Sequence, residues 1–213
     1  MKKTLINWFG LFGLVGLTSY ILAVIFAPSA YPGFDRLRQP TTALYGVDAP
    51  SFALWNQWAS LYAIGGLMCV TMLCIAVQGK WNKPIRLGIY LMSGSLWLSS
   101  IGSAILRFGA AEDAISFPSF ADGLLGIVVM LSISVSLILL IVGGYRKKRF
   151  VSLAVPATIT TVLLVFVPIF VPTGYSGITS LVTNLAMLGF TALLGLYLFL
   201  GKLDNDTSEN LQI

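Results

Sequence analysis

Six long apolar stretches limit what this chain can fold into. A helix needs about 20 residues to cross the hydrocarbon core of a bilayer, and stretches of that length follow one another along nearly the whole sequence. None of them alternates between apolar and polar residues, as the strands of a membrane barrel do. We therefore predict an all-α, polytopic transmembrane bundle with six spans: Leu5 to Ala27, Phe52 to Val77, Leu87 to Leu106, Leu124 to Val142, Phe150 to Val171 and Ile178 to Leu200.

The composition supports this prediction and excludes several kinds of chemistry. Of the 213 residues, 57% are hydrophobic and 10% are charged, which is too little polar surface to cover a soluble globule. Because the chain has no histidine, it cannot form a His-ligated haem, a zinc site that uses histidine, or a Ser/His or Cys/His catalytic pair. No phosphate-binding glycine loop or metal-ligand cluster is visible, so we expect no cofactor and no metal.

The Lys and Arg residues predict the orientation of the spans. Ten of them fall on the side of the N-terminus and three on the opposite side, and loops rich in Lys and Arg stay in the cytoplasm. We therefore expect both termini to be cytoplasmic in a cell membrane, the inner one if the source is Gram-negative. Residues 1–203 would form a single transmembrane domain and residues 204–213 a short polar tail. Because the net charge of +5 is divided among short clusters, we expect no nucleic-acid partner.

Small residues in the first span indicate how it packs against other helices. Gly10, Gly13, Gly16 and Ser19 recur every three residues, which predicts a smooth ridge for close helix contact.

The first apolar stretch is too long for a signal-peptide core, so we expect this helix to be retained. Two cysteines, at positions 69 and 74, lie on different sides of one helix and predict no disulfide framework.

The polar residues gather in two predicted outer loops, Pro28 to Ser51 and Arg107 to Gly123. The first loop is long and carries its own aromatic residues, which is typical of functional or specifically packed loops. Two interpretations stay open for the aromatic residues around it. They form the belt that marks the headgroup level of a membrane, or they frame a crevice for a ligand. The belt would consist of Tyr31, Trp55, Trp58 and Tyr175.

The third span carries Ser95, Ser99, Ser103 and Arg107 at four-residue steps, so these residues share one helix face. Serines on such a face allow close packing and hydrogen bonding between helices, and the arginine can reach the headgroups. The same face could instead line a polar crevice in which Arg107 binds an anion. Both interpretations require the face to point toward protein or water.

Asp122 stands where the fourth span begins, near Arg107 and its other possible counter-charges Glu112 and Asp113. An ionisable group near hydrocarbon could serve in proton transfer. Alternatively, Ser119 and Asp122 approximate a capping box that satisfies the free N–H groups of the helix. The two interpretations are compatible, because a capping carboxylate can also pair with an arginine.

Polar residues and prolines deeper in the later spans predict contacts between helices. Each of the pairs Ser132 with Ser136 and Ser180 with Asn184 is spaced by four residues, as expected for groups that bond across helix interfaces. Prolines at 156, 168 and 172 bend or end the fifth span. A bend can free backbone carbonyl groups for an ion, although neighbouring side chains usually satisfy them.

The segment Pro40 to Pro50, followed by Trp55-Asn56-Gln57 and an apolar helix with Gly65-Gly66, resembles the family catalogued as Domain of Unknown Function 998. Phe117-Pro118 and Asp122 echo a further motif of that family. The resemblance implies six helices and a relation to the lipid-associated Frag1/DRAM/Sfk1 group, but no established reaction. This chain departs from the family where Thr42-Ala43 replaces a common Ser-Glu pair and where a frequent histidine of the fourth helix is missing.

Three functions remain compatible with these observations. The first is a non-enzymatic protein that binds membrane lipids, an amphipathic ligand, a membrane-protein partner or a second copy of itself through its outer face. The second is a small transporter with a proton-coupled carboxylate, and the third is an enzyme that modifies a lipid. We favour the first and assign no catalytic residue. Its candidate ligand-binding residues are Asp48, Trp55, Asn56, Ser99, Ser103, Arg107 and Asp122.

Overall fold

A computed structural model of the chain describes residues 3–46, 48–109, 117–146 and 148–202, with the side chains of 103–109, 117–122 and 149 left out. Helices make up most of the described residues, and no strand occurs within these ranges. The α-helices are α1 (Leu5–Phe9), α2 (Leu11–Phe26), α3 (Phe52–Ala76), α4 (Lys83–Gly109), α5 (Phe117–Tyr145), α6 (Val151–Phe170) and α7 (Ser176–Phe199). Short 3-10 turns at Ala27–Ala30, Thr41–Leu44, Lys148–Phe150 and Thr173–Tyr175 connect them.

Five helical segments of the described chain are long and apolar enough to cross a membrane: Leu5–Ala30, Phe52–Ala76, Gly123–Tyr145, Val151–Phe170 and Thr173–Phe199. Large apolar side chains also cover the outside of the bundle, where Phe170 is 74% and Leu131 63% exposed. A soluble surface does not present so much apolar area. The predicted all-α membrane class is therefore confirmed. The remaining long helix, α4, has 27 residues but is not among these five.

The helices α2 to α7 form a closed ring. Each packs against the next in sequence, α7 returns to pack against α2, and α3 also contacts α7. The connections after α3, α5 and α6 are short, and the two helices that each of them joins are in contact. We call the side of the bundle that carries residues 28–51 and Thr173–Tyr175 the loop end. The opposite side, with the α3 to α4 and α5 to α6 connections, is the basic end.

The predicted glycine ridge is confirmed, and it serves two partners in turn. Gly10, between α1 and α2, lies directly against the backbone of Gly195 in α7. Gly16 lies against α3, where a Cβ on Gly65 would be only 2.9 Å from its nitrogen. A step of three residues turns the ridge by roughly 60° around a helix of 3.6 residues per turn. The ridge therefore passes from α7 to α3 as α2 proceeds.

A proline in α6 explains a contact between the last two helices. Pro156 has no N–H, so the carbonyl of Ser152 loses its partner within the helix. The hydroxyl of Tyr197 in α7 donates a hydrogen bond to that carbonyl at 3.0 Å. This agrees with the expectation that a neighbouring side chain satisfies a carbonyl freed by proline.

Two other local expectations have different outcomes. Ser136 of α5 donates across the interface to the carbonyl of Gly88 at 2.7 Å, as predicted. The capping box of Ser119 and Asp122 stays a prediction, because both side chains lie outside the described residues. The helix itself begins two residues before Ser119, at Phe117, and Pro118 suits its first turn because the N–H that proline lacks would have no partner there. Cys69 and Cys74 are free thiols.

Among the described residues, most buried apolar side chains lie toward the basic end. The larger cluster joins α3, α4, α5, α6 and α7, from Cys69 to Trp81 on one side and Phe190 to Leu198 on the other. A smaller cluster lies at the loop end and consists of Tyr20, Ala23, Ala27, Leu44 and Trp55. This second cluster unites α2, α3 and the loop. The side chains of α4 and α5 nearest this end lie outside the described residues.

Candidate functional site

A cavity of about 750 Å³ lies between the helices of the bundle. One wall is built by α2, α3 and α7, and the other by α4 and α5. Its volume falls within the range of about 300–1,000 Å³ that is usual for small-molecule sites. The cavity is therefore large enough for a drug-sized or lipid-like molecule.

Four aromatic rings form the wall nearest the loop end. Trp55 lies edge-on to Tyr20, with ring centroids 5.9 Å apart, and its centroid is 5.2 Å from that of Tyr45. Tyr20 continues the cluster to Tyr62 at 5.4 Å. All four residues line the cavity. They provide a rigid apolar surface with polar groups at its edge.

The position of Trp55 corrects the aromatic-belt interpretation for this residue. Trp55 is only 5% exposed and packs inside the protein between α2, the loop and α3. A belt residue would place its ring among lipid headgroups. Trp58, three residues later, is half-buried and stacks on Phe26, with centroids 4.9 Å apart.

The polar groups of the cavity fall into two sets. In the first set, Asn184 of α7 donates from its amide nitrogen to the hydroxyl of Tyr20 at 3.0 Å and to that of Thr41 at 3.3 Å. These groups satisfy one another and fix the loop to the bundle. The second set is Asn56 and Tyr62 on α3 and Ser99 on α4. No hydrogen bond joins their side chains to another residue in the described part of the chain, so they can serve a ligand.

The loop 28–51 is docked firmly at its end of the bundle. The backbone N–H of Thr41 donates to the hydroxyl of Ser180 at 3.0 Å, and the hydroxyl of Ser176 donates to the carbonyl of Arg38. Leu44 is 1% exposed, and its carbonyl accepts a hydrogen bond from Ser51 at 2.8 Å. The loop is thus specifically packed, which is one of the two alternatives that its length and aromatic residues suggested, and it fixes one end of the cavity.

Two adjacent glycines show which face of α3 adjoins the cavity. A Cβ on Gly65 would be 2.7 Å from the carbonyl oxygen of Phe12, whereas a Cβ on Gly66 would meet nothing within 4 Å. Gly66 lines the cavity. The face of α3 that carries Gly65 therefore packs against α2, and the face that carries Gly66 adjoins open space.

The structure brings together three of the residues that the sequence suggested. Trp55, Asn56 and Ser99 all line the cavity. Asp48 is exposed and is not among its lining residues. The side chains of Ser103 and Arg107 on α4 and of Asp122 on α5 lie outside the described residues.

The sequence did not identify several other lining residues. Tyr20 and Tyr62 each stand within an apolar span, and Gly66 follows a glycine that is used for packing. Asn184 was noticed only as a group for bonding between helices. A signal did exist, because hydroxyl and amide groups far from the ends of a span need partners or a cavity.

The described wall of the cavity carries no formal charge. Its polar members are tyrosine, tryptophan, asparagine, serine and threonine side chains. In the described ranges, no three Cys, Asp or Glu residues come together in a way that could hold a metal ion. The site is therefore suited to hydrogen bonding and apolar contact with a ligand.

Comparisons with protein-family models, with curated proteins and with solved structures each found no match.

Proposed function

We propose that this protein binds a lipid or another amphipathic ligand in the cavity between α3 and the pair α4 and α5. The observation that carries the proposal is a cavity of about 750 Å³ with aromatic and uncharged polar lining inside a bundle of membrane-spanning helices. Large, mostly apolar cavities with a few polar groups are the usual form of small-molecule sites. The same cavity favours binding over an enzymatic role for Asp48, because Asp48 is not among its lining residues.

The proposal includes six spans with both termini in the cytoplasm of a multi-pass cell-membrane protein. Supporting it, α4 is 27 residues long and packs within the ring between α3 and α5. The basic end gathers most of the described Lys and Arg residues, and cytoplasmic loops are rich in these residues. The described members are Lys3, Lys80, Lys83, Arg86, Arg146, Lys148 and Lys202. Membership of the Domain of Unknown Function 998 family belongs to the same proposal and rests on the motifs around Pro40 and Trp55.

A cavity-filling substitution tests the binding function. Gly66→Phe places a ring in the open space beside α3, since nothing lies within 4 Å of a Cβ there. The matched control is Gly94→Phe, because Gly94 of α4 has equally open surroundings but is not among the lining residues. We expect native mass spectrometry of protein released in mild detergent to show a lipid-sized adduct on the wild type and the control. In Gly66→Phe the adduct should fall by about tenfold or more, because the ring takes up space that the ligand occupies and a loss of ~1.4 kcal/mol in binding is already tenfold.

Two results would contradict this proposal. Equal adducts on all three proteins would place the bound lipid outside the cavity and contradict the proposal. A wild type without any adduct, after extraction in several mild detergents, would also contradict it.

A further inference from the structure

We infer that the basic end carries a second lipid site, where cations of two connections together hold the phosphate head of an anionic phospholipid. The two connections join α3 to α4 and α5 to α6. The inference rests on the proposed crossing of the membrane by α4, but it does not depend on the cavity.

Contacts between the two connections hold them side by side. Trp81, before α4, and Phe150, before α6, are both buried, and their ring centroids are 5.0 Å apart. The amide nitrogen of Asn82 donates a hydrogen bond to the carbonyl of Gly143 in α5 at 2.9 Å. A Cβ on Gly143 would be only 3.0 Å from the backbone nitrogen of Ile85 in α4. The beginning of α4 is therefore fixed against the end of α5.

Exposed cations from both connections surround this contact. The described ones are Lys80, Lys83, Arg146 and Lys148. Lys83 is the first residue of α4 and Arg146 follows the last residue of α5, so each lies within about one helical turn of the contact between Gly143 and Ile85. Neither stretch of sequence, 77–86 or 143–151, contains an Asp or Glu residue. These like charges repel one another, and an anion placed among them relieves the repulsion.

Two of the cations stand where the helix itself favours an anion. Lys83 begins α4, and Lys148 lies about one turn before Val151, the first residue of α6. The N-terminus of a helix carries a partial positive charge and favours acidic residues, but the first turns of α4 and α6 contain none. A phosphate at this place would meet the cationic side chains and the free N–H groups of the helix ends.

An exposed apolar surface continues from the cations along both helices. Leu87 lies four residues after Lys83 on α4 and is 55% exposed, and Val142 lies four residues before Arg146 on α5 and is 42% exposed. Residues four apart share a helix face, so each cation adjoins an apolar side chain that faces outward. A soluble anion would use only the cations. A phospholipid uses both parts, with its phosphate at the cations and its acyl chains along α4 and α5.

Phospholipids with the same chains and different heads test the preference for an anion. We would titrate the purified full-length protein with dioctanoylphosphatidylglycerol and with dioctanoylphosphatidylcholine and follow each adduct by native mass spectrometry. We expect phosphatidylglycerol to bind about tenfold more tightly, because no choline group cancels its negative charge. Gly66→Phe should keep this preference, because the site lies outside the cavity.

Charge variants at two places on the basic end locate the bound head. Lys83→Gln combined with Arg146→Gln removes one cation from each connection. We expect it to bind phosphatidylglycerol about ten- to thirtyfold more weakly, because each cation near a membrane surface contributes about fivefold to anion binding. The matched control is Lys3→Gln combined with Lys202→Gln, which removes the same charge at the same end, from ammonium groups that each lie over an aromatic ring. It should bind within about threefold of the wild type.

A variant with exchanged cations separates loss of charge from loss of folding. Lys83→Arg combined with Arg146→Lys keeps both charges and should bind phosphatidylglycerol like the wild type. Unchanged melting temperatures would show that all of these variants are folded.

Two further comparisons distinguish a lipid from other anions. Glycerol 3-phosphate carries the charge without acyl chains and should bind at least about tenfold more weakly than phosphatidylglycerol, because it buries no apolar surface. The acidic tail, with Asp204, Asp206 and Glu209, is the other anion within this chain. A variant that lacks residues 204–213 should bind the lipid as the full-length protein does.

Five results would overturn the second site. Equal binding of the two phospholipids would remove the preference for an anion, and equal weakening in the charge variant and its control would show a diffuse surface potential. Equal binding of glycerol 3-phosphate would assign the cations to a soluble anion. Binding that appears only without residues 204–213 would assign them to the tail, and binding lost in Gly66→Phe would place the lipid in the cavity. The first four results leave the cavity proposal standing.

Discussion

Neighbouring residues in α3 have opposite surroundings, and this contrast can be measured. Gly65 is pressed against α2, where a Cβ would be 2.9 Å from the nitrogen of Gly16, whereas Gly66 adjoins open space. We predict that Gly65→Ala destabilises the protein by ~1–3 kcal/mol, because the contact is with backbone and two helices must separate. Gly66→Ala should leave stability unchanged or raise it by up to about 1 kcal/mol, because alanine favours a helix. Thermal unfolding in detergent measures both variants, and equal losses would contradict the assigned packing.

For single residues, the sequence predicted the close-packed glycines, but it did not always predict whether a side chain faces the lipid or the interior of the bundle. The glycine ridge from Gly10 to Ser19 was visible because close helix packing needs small residues in any solvent. Trp55 was not predictable in the same way. In a membrane, the residues that face lipid are as apolar as those that face the interior. An aromatic residue near the end of a span therefore fits both environments, and only the packing of Tyr20 and Tyr45 around it decides between them.

One hydrogen bond between α6 and α7 compensates for a proline in α6. The hydrogen bond from Tyr197 of α7 to the carbonyl of Ser152 in α6 replaces the one that Pro156 cannot make. We predict that Tyr197→Phe lowers the free energy of unfolding by about 1 kcal/mol, the usual value of such a bond. Tyr90→Phe, at a 39% exposed tyrosine of α4, is the matched control and should have a smaller effect.

A double-mutant cycle assigns this loss to the carbonyl. Pro156→Ala restores an N–H within α6, so Tyr197→Phe should cost less in that background than in the wild type. Strictly additive effects on thermal unfolding would show that Tyr197 acts through packing alone.

The elements themselves were largely predictable, because length and apolar content determine a span. All six predicted spans coincide with helices, although the first divides at Gly10 into α1 and α2. The docking of the loop was not predictable in detail. Thr41 meets Asn184, which is 143 residues away in sequence, and no local pattern specifies such a contact.

At the scale of the whole molecule, the larger cluster of described buried side chains lies toward the basic end and the cavity toward the loop end. The ring closes where α7 returns to pack against α2. The order of the spans indicates which helices are neighbours in sequence, but it does not show how the ring closes. The existence of the bundle was therefore predictable, and the place of its cavity was not.

The proposed orientation predicts which positions a membrane-impermeant thiol reagent can reach. We expect cysteines at Asp48 and Glu112 to be labelled in intact cells, and a cysteine at Lys83 only after permeabilisation. Because residue 83 begins α4 and residue 112 follows it in the sequence, opposite accessibility of these two positions requires α4 to cross the membrane. The wild type, whose cysteines lie within α3, is the control. Labelling of residues 83 and 112 from the same side would contradict the sixth span.

The central claim is that the cavity between α3 and the pair α4 and α5 holds a lipid-like molecule. An experimental density map of the protein in nanodiscs formed directly from its native membrane tests this most directly. We predict an elongated density, not continuous with the protein chain, in contact with Tyr62 and Ser99 and extending past Leu96 toward the middle of the bundle. A cavity that is closed by approach of α3 to α4, or filled by the protein's own side chains, would contradict the account.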